Sequence, residues 1–276
     1  MARTLESIIS SEKLMSQAIA VVNRPGGSSS IGMAYVAQKK GDPHYWLQVT
    51  QGGFIGTPIM GQSKYNYRDF TPLAILAYDY FFLIVKADSP YKGMKDIIEA
   101  AKKKPEEIKF GGTGAQGLDA MCAFLIKKGT GAQFNYIPFK GSGDVVMALL
   151  GGHIDIAPAN PAEAISLVEA KKVRILGVTG EKRLESYPDI PTLKEQGVDV
   201  VLQQWRGIAA PKDIPEEAAK FYQDLFKKVS ETKAWKKYVR ENMLQGVYLN
   251  GAETYKVWVS ENKSLATIYK EMGIIK

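Results

Sequence analysis

The stretch of this sequence best suited to chemistry is Phe110, Gly111, Gly112, Thr113, Gly114, Ala115, Gln116 and Gly117, between an apolar run and a helix-forming segment. Glycines let a backbone come close to a ligand, and the unpaired N–H groups that open a helix point at whatever lies before them. A carboxylate or phosphate can be held there without a charged side chain. Gly112, Gly114 and Gly117 also fit the spacing of a dinucleotide-binding turn. Such a site needs an acidic residue at the end of the next strand. That strand leads instead into Pro138, Phe139, Lys140 and Gly141. A tight turn without a ligand is the plain alternative.

Residues for catalysis are sparse. His44 follows Asp42 and Pro43 in a turn, His153 follows Gly151 and Gly152, and neither has the spacing of a metal pair. Cys122 is the single cysteine, so an internal disulfide and a cysteine-based zinc site are excluded. It shares a helical stripe with Leu118, Met121 and Leu125, which suits a packing role. No strained serine elbow, phosphate-loop lysine or carboxylate pair stands out. Lys140 and Asp79 are the candidates for a reactive side chain, and neither has an evident partner.

The formal charge is +7, but the cations are scattered. Lys102, Lys103 and Lys104 close a helix, where cations suit the carbonyl end, and the pairs at 227–228 and 236–237 have acidic neighbours. Nucleic-acid binding needs basic residues gathered with aromatics on one face, so it is set aside. With 45% hydrophobic and 24% charged residues, the 276-residue chain has the profile of a soluble globular protein. Its longest apolar run, residues 80–85, suits a buried strand and is far too short to cross a bilayer.

The elements that must position these residues alternate along the chain. Strands are expected at 18–23, 45–49, 73–77, 81–86, 109–111, 134–137, 154–157 and 173–178. Helices are expected at 28–39, 94–103, 117–128, 144–150, 162–170, 215–229, 233–241 and 252–272. The last places Tyr255, Trp258, Val259, Leu265, Ala266 and Tyr269 on one face. This rhythm predicts an α/β protein with mainly parallel sheets flanked by helices. Two Pro-ended extended segments, 85–90 and 207–211, look like crossings between lobes. They predict an outer lobe from both chain ends, 1–87 with 208–276, and an inner lobe, 88–207, carrying the Gly-rich loop.

Five motifs in order then resemble one family. They are Asn23-Arg24-Pro25-Gly26; Ile137-Pro138-Phe139-Lys140-Gly141; Leu149-Leu150-Gly151-Gly152 with Ile154-Asp155; Tyr187-Pro188-Asp189-Ile190-Pro191-Thr192-Leu193 with Gly197; and Trp205-Arg206-Gly207-Ile208-Ala209-Ala210-Pro211. Together they are similar to the substrate-binding proteins of tripartite tricarboxylate transporters, the Bug receptors. The resemblance implies a two-lobed, type II-like periplasmic binding protein. Such a protein closes about a hinge on a small organic carboxylate and delivers it to membrane permease subunits, as a monomer without cofactor or metal. It also implies that Gly112, Thr113, Gly114 and Gln116 form the anion loop of the inner lobe. Gln51, Gly52 and Phe54 would follow a strand of the outer lobe, and Lys140, Gly141, Ala159, Asn160 and Trp205 would end other strands at the ligand.

Three departures stand out. The sequence starts without an apolar leader and without the family's first strand, expected between those at 18–23 and 45–49. Backbone groups would then be unpaired and part of the ligand site lost. The turn at Asp42, Pro43 and His44 differs from the family pattern, and Asp119 stands in the first turn after the anion loop. Asp119 reads either as a helix-start carboxylate or as a group that repels a second ligand carboxylate or meets a ligand amine. A transferase-like enzyme on the same two-lobed plan and a ligand-presenting sensor are the rival functions.

Overall fold

A computed structural model describes residues 1–184 and 186–276. In chain order the elements are α1 (Ala2–Ser11), α2 (Ser30–Ala37), β1 (Leu47–Thr50), a π-helical turn (Gly52–Gly56) that runs into α3 (Thr57–Ile59), β2 (Phe70–Tyr80) and β3 (Phe82–Lys86). Next come α4 (Met94–Lys103), β4 (Lys109–Thr113), α5 (Leu118–Thr130), β5 (Asn135–Phe139), α6 (Ser142–Leu150), β6 (Ala157–Ala159), α7 (Pro161–Glu169) and β7 (Val173–Val178). The chain closes with β8 (Gln203–Pro211), α8 (Glu216–Glu231), α9 (Lys233–Glu241), β9 (Gln245–Leu249) and α10 (Gly251–Glu271). Two compact units result: a terminal unit of Met1–Tyr78 with Gln204–Lys276, and a central unit of Asp79–Gln203. The chain passes between them inside β2 and at the start of β8.

The terminal unit is built on a four-stranded sheet in the order β1-β8-β2-β9. Leu5, Ile8 and Ile9 lie on one face of α1 and join Leu73, Leu76, Ala210, Phe226 and Trp235 in its core. Strands β2 and β8 approach so closely that a Cβ at Gly207 would lie 2.6 Å from the Ala74 carbonyl. The α10 helix starts at a capping box of Asn250 and Glu253. Trp258, Leu265 and Tyr269 are its buried face, as the spacing predicts, whereas Tyr255 is exposed.

In the central unit β6-β3-β7 form one sheet, and β4 pairs with β5. Ile156 bridges Phe110 in parallel, which brings the start of β6 alongside β4. The Arg174 guanidinium donates to the carbonyls of Ala87 and Tyr91, fastening the turn after β3 to β7.

Two expectations are corrected. The sheets are not mainly parallel: β1–β8, β2–β9, β3–β6 and β3–β7 are antiparallel, while β4–β5 is parallel. The βαβ rhythm does give β6 and β7 a common direction, because α7 carries the chain from one to the other. However, β3, which follows β2 after a single residue, is inserted between them and runs against both. The second correction concerns 18–23, which form no strand. Ile19 packs against the core of the terminal unit, whereas Val22 is 64% exposed.

Candidate functional site

The Gly-rich loop leaves β4 at Thr113 and enters α5 at Leu118. Gly112 is buried against its neighbours, and a Cβ there would lie 2.5 Å from the Asp119 Cβ and 2.6 Å from the Tyr136 hydroxyl. Gly114 takes φ of +67° with open space around it. Asp119 reaches back from the first turn of α5. One of its carboxylate oxygens accepts from the Thr113 N–H at 2.7 Å and from the Thr113 hydroxyl at 2.8 Å. The Gly114 N–H goes to the Phe139 carbonyl, and Tyr136 donates to the Gly114 carbonyl. The donors of Thr113 and Gly114 therefore fix the loop to its own unit, and the exposed stretch 114–117 is the part that faces outward. Burial raises the Asp119 carboxyl above its usual value, with the Thr113 bonds acting in the opposite sense. The same burial pushes up the Cys122 thiol, which fits its packing role.

Two further helices start beside α5. Strands β4 and β5 are parallel neighbours, and β6 continues from residues running parallel to β4, so their carboxyl ends share one edge. Each is followed by a helix: α5 capped at Gly117, α6 at Gly141 and α7 at Asn160. None of the three caps uses a side-chain hydrogen bond. Three helix amino ends, each carrying partial positive charge and free amides, thus open at one sheet edge. Lys140 is exposed beside them, and Gln116, Ala159 and Asn160 lie at the same ends. The sequence-expected residues of the central unit are brought together.

Those of the terminal unit are brought together in a different sense. The Phe54 ring meets Trp258 at 4.7 Å and Trp205 at 6.3 Å, and the two tryptophans stack at 6.4 Å. Trp205 and Phe54 are buried core side chains. What they offer this region is support for the π-helical turn. Among the described residues the indole N–H groups of Trp205 and Trp258 have no partner. Gln51, 4% exposed, donates its amide to Glu261 of α10. Gly53 lies against Ser29, where a Cβ would come within 2.4 Å of the hydroxyl oxygen, and Thr57 donates to the Ser28 carbonyl. Ser28 and Ser29 hold φ of 49° and 82°, a left-handed backbone unusual for serine. A π-helical turn and such strain both concentrate at functional sites.

Sequence reasoning missed Ser28, Ser29 and Glu261 here. The two serines carried a signal, a run of small residues after Pro25, Gly26 and Gly27 at a helix start. Glu261 carried none, since it meets Gln51 across 210 residues of chain. The odd turn at 42–44 is a side-chain turn in which the Asp42 carboxylate accepts from the His44 N–H at 2.9 Å. Among the described residues there is no group of three side chains able to hold a metal, and no helix is long and apolar enough to cross a membrane.

Comparison with known proteins decides the family: the one described as the tripartite tricarboxylate transporter family receptor matches residues 1–274. The chain belongs to it. The receptor is 28% identical over 267 residues to a UPF0065 protein in the gbd 5' region of Cupriavidus necator, covering 96% of this chain and 80% of that one. Among solved structures it is similar to a TctC solute binding protein from Polaromonas, at 27% identity and a TM-score of 0.86, covering 98% of this chain and 93% of that one. A second, from R. palustris and solved with adipate, has 23% identity and a TM-score of 0.79, covering 99% and 91%. The receptor therefore has the α/β fold of the periplasmic binding proteins, as its motifs implied, with the strand directions corrected above.

Proposed function

We propose that this receptor captures a small organic carboxylate outside the cytoplasm, in the periplasm, and hands it to the membrane permease subunits of a tripartite tricarboxylate transporter. The observation that carries the ligand class is the edge of the central unit, where the uncapped amino ends of α5, α6 and α7 open together beside Lys140. Oriented amides meet an anion without a fixed ionic partner, and each helix end stabilises a negative charge by about 0.3–1 kcal/mol. Gln116, Lys140, Gly141, Ala159 and Asn160 contribute directly. Gly112, Thr113 and Gly114 hold the loop in shape through Asp119, Phe139 and Tyr136. In the terminal unit Phe54 and Trp205 hold the turn that carries Gln51 and Gly52, the residues that the family resemblance assigns to the ligand.

The role is binding and not catalysis. Lys140 has the reach of a ligand cation, and a compact ammonium beside helix ends suits an anion without any covalent step. The adipate of the R. palustris relative supports the same ligand class. Titration calorimetry of the purified chain against mono-, di- and tricarboxylates and aromatic acids tests this. At least one should bind, and Lys140→Ala should weaken it by about tenfold, the loss of one charge-assisted hydrogen bond. If no carboxylate binds, or binding ignores Lys140 and the helix ends, the proposal is wrong.

A further inference from the structure

Glu261 places a carboxylate on the inward stripe of α10, three residues after Trp258 and four before Leu265, both buried. A charge on such a stripe is rare unless something meets it. Its neighbour is Gln51, whose side-chain amide donates to it. The two contacts run in register in opposite senses, because Phe54, three residues after Gln51, packs on Trp258, three residues before Glu261. A carboxylate only accepts, so Glu261 takes the NH2 end of Gln51 and fixes which way that amide faces. The Gln51 carbonyl oxygen is then turned away from Glu261. It is buried and has no donor among the described residues. Burial also raises the Glu261 carboxyl, and its charge helps to raise the nearby Tyr78 phenol.

We infer that Glu261 is a specificity-determining residue: with the Gln51 carbonyl it makes this part of the terminal unit an acceptor surface. The ligand is therefore a carboxylate that also carries a hydrogen-bond donor, a hydroxyl or an ammonium group. A second carboxylate at this point would face two acceptors and gain nothing, whereas a donor satisfies the buried carbonyl and, if cationic, the Glu261 charge. Sites that hydrogen-bond a donor group discriminate strongly against ligands that lack it, because the protein group is left buried and unpaired. This inference rests on the carboxylate-receptor proposal and sharpens it.

The test is a set of ligands matched in length, titrated at neutral pH into the full chain. One series is succinate, malate and aspartate; the other is glutarate, 2-hydroxyglutarate and glutamate. In the series that binds, the hydroxy or amino acid should bind about 10–100-fold tighter than the plain diacid, the range for a hydrogen bond to a charged group. In Glu261→Gln the gap should shrink by at least about tenfold, because Gln51 is then free to turn its NH2 outward. Melting of the ligand-free variants establishes that they are folded, and Glu261→Ala stands in should the glutamine variant fail to fold. A wild-type preference for the plain diacid, or a ranking unchanged in either folded variant, overturns the inference and leaves the carboxylate receptor standing. If no carboxylate of any class binds, both fall.

Discussion

Thr113 and Asp119 show how a loop that looks built for a ligand spends part of its capacity on itself. Thr113 gives both its donors to one buried carboxylate oxygen. Thr113→Val should therefore destabilise the chain by about 1–3 kcal/mol in urea unfolding, since Asp119 loses a donor while staying buried. Asp119 also has a pH signature. Its folded pKa lies above the usual 3.8, so the fold favours the protonated form. The stability from this group is complete below 3.8 and is lost as pH rises through the folded value. Asp119→Asn keeps an acceptor and removes the charge. Its melting temperature relative to wild type should rise between about pH 3 and pH 7, and a flat difference would show that the charge is not strained. Two glycines of the loop separate space from conformation. Gly112→Ala should be the more harmful, by about 1–3 kcal/mol from overpacking against Asp119 and Tyr136. Gly114→Ala meets nothing and should lose about 1 kcal/mol from its positive φ alone.

At the scale of elements, the start of α2 holds serine where the backbone asks for glycine. A left-handed non-glycine residue is strained by about 1–2 kcal/mol, while added freedom of glycine in the unfolded chain takes back about 0.5–1. Ser28→Gly or Ser29→Gly should thus raise stability by about 0.5 kcal/mol, read from the melting temperature. A loss instead would mean that the hydroxyls contribute more than the strain. The same scale shows where pattern reading stops. Helical spacing located α4, α8 and α10 well, because their apolar stripes are local and repeat every three or four residues. It extended α2 back over Ser28 and Ser29, whose strain is set by contact with Gly53 and Thr57. It read 18–23 as a strand from an apolar run that ends up largely exposed. Strand status depends on a partner, which no local pattern contains.

For the whole molecule, ligand and stability are linked. A carboxylate at about a hundred times its Kd should stabilise the receptor by about 2.7 kcal/mol, visible as a concentration-dependent melting temperature. Capture by hinge closure is what the family resemblance implies. It calls for a fall in radius of gyration by small-angle scattering when the ligand is added, and an unchanged radius at saturation would exclude it. The chain crosses from one unit to the other at 78–79, inside β2, and at 203–204, at the start of β8. Such crossings have no punctuation of their own, whereas the Pro-ended segment at 85–90 that drew attention in the sequence is fastened by Arg174.

The sequence by itself determined the alternation of helices and strands, the Gly-rich loop before α5, and the five motifs that place the chain among the transporter receptors. All of these are carried by residues near one another along the chain. Tertiary structure alone decided that β3 would lie between β6 and β7, that Asp119 would take the donors of Thr113, and that Trp205 would be core. It also decided that Glu261 would meet Gln51. Each of these depends on a partner far away in sequence, and the identity of such a partner is fixed by packing and not by spacing.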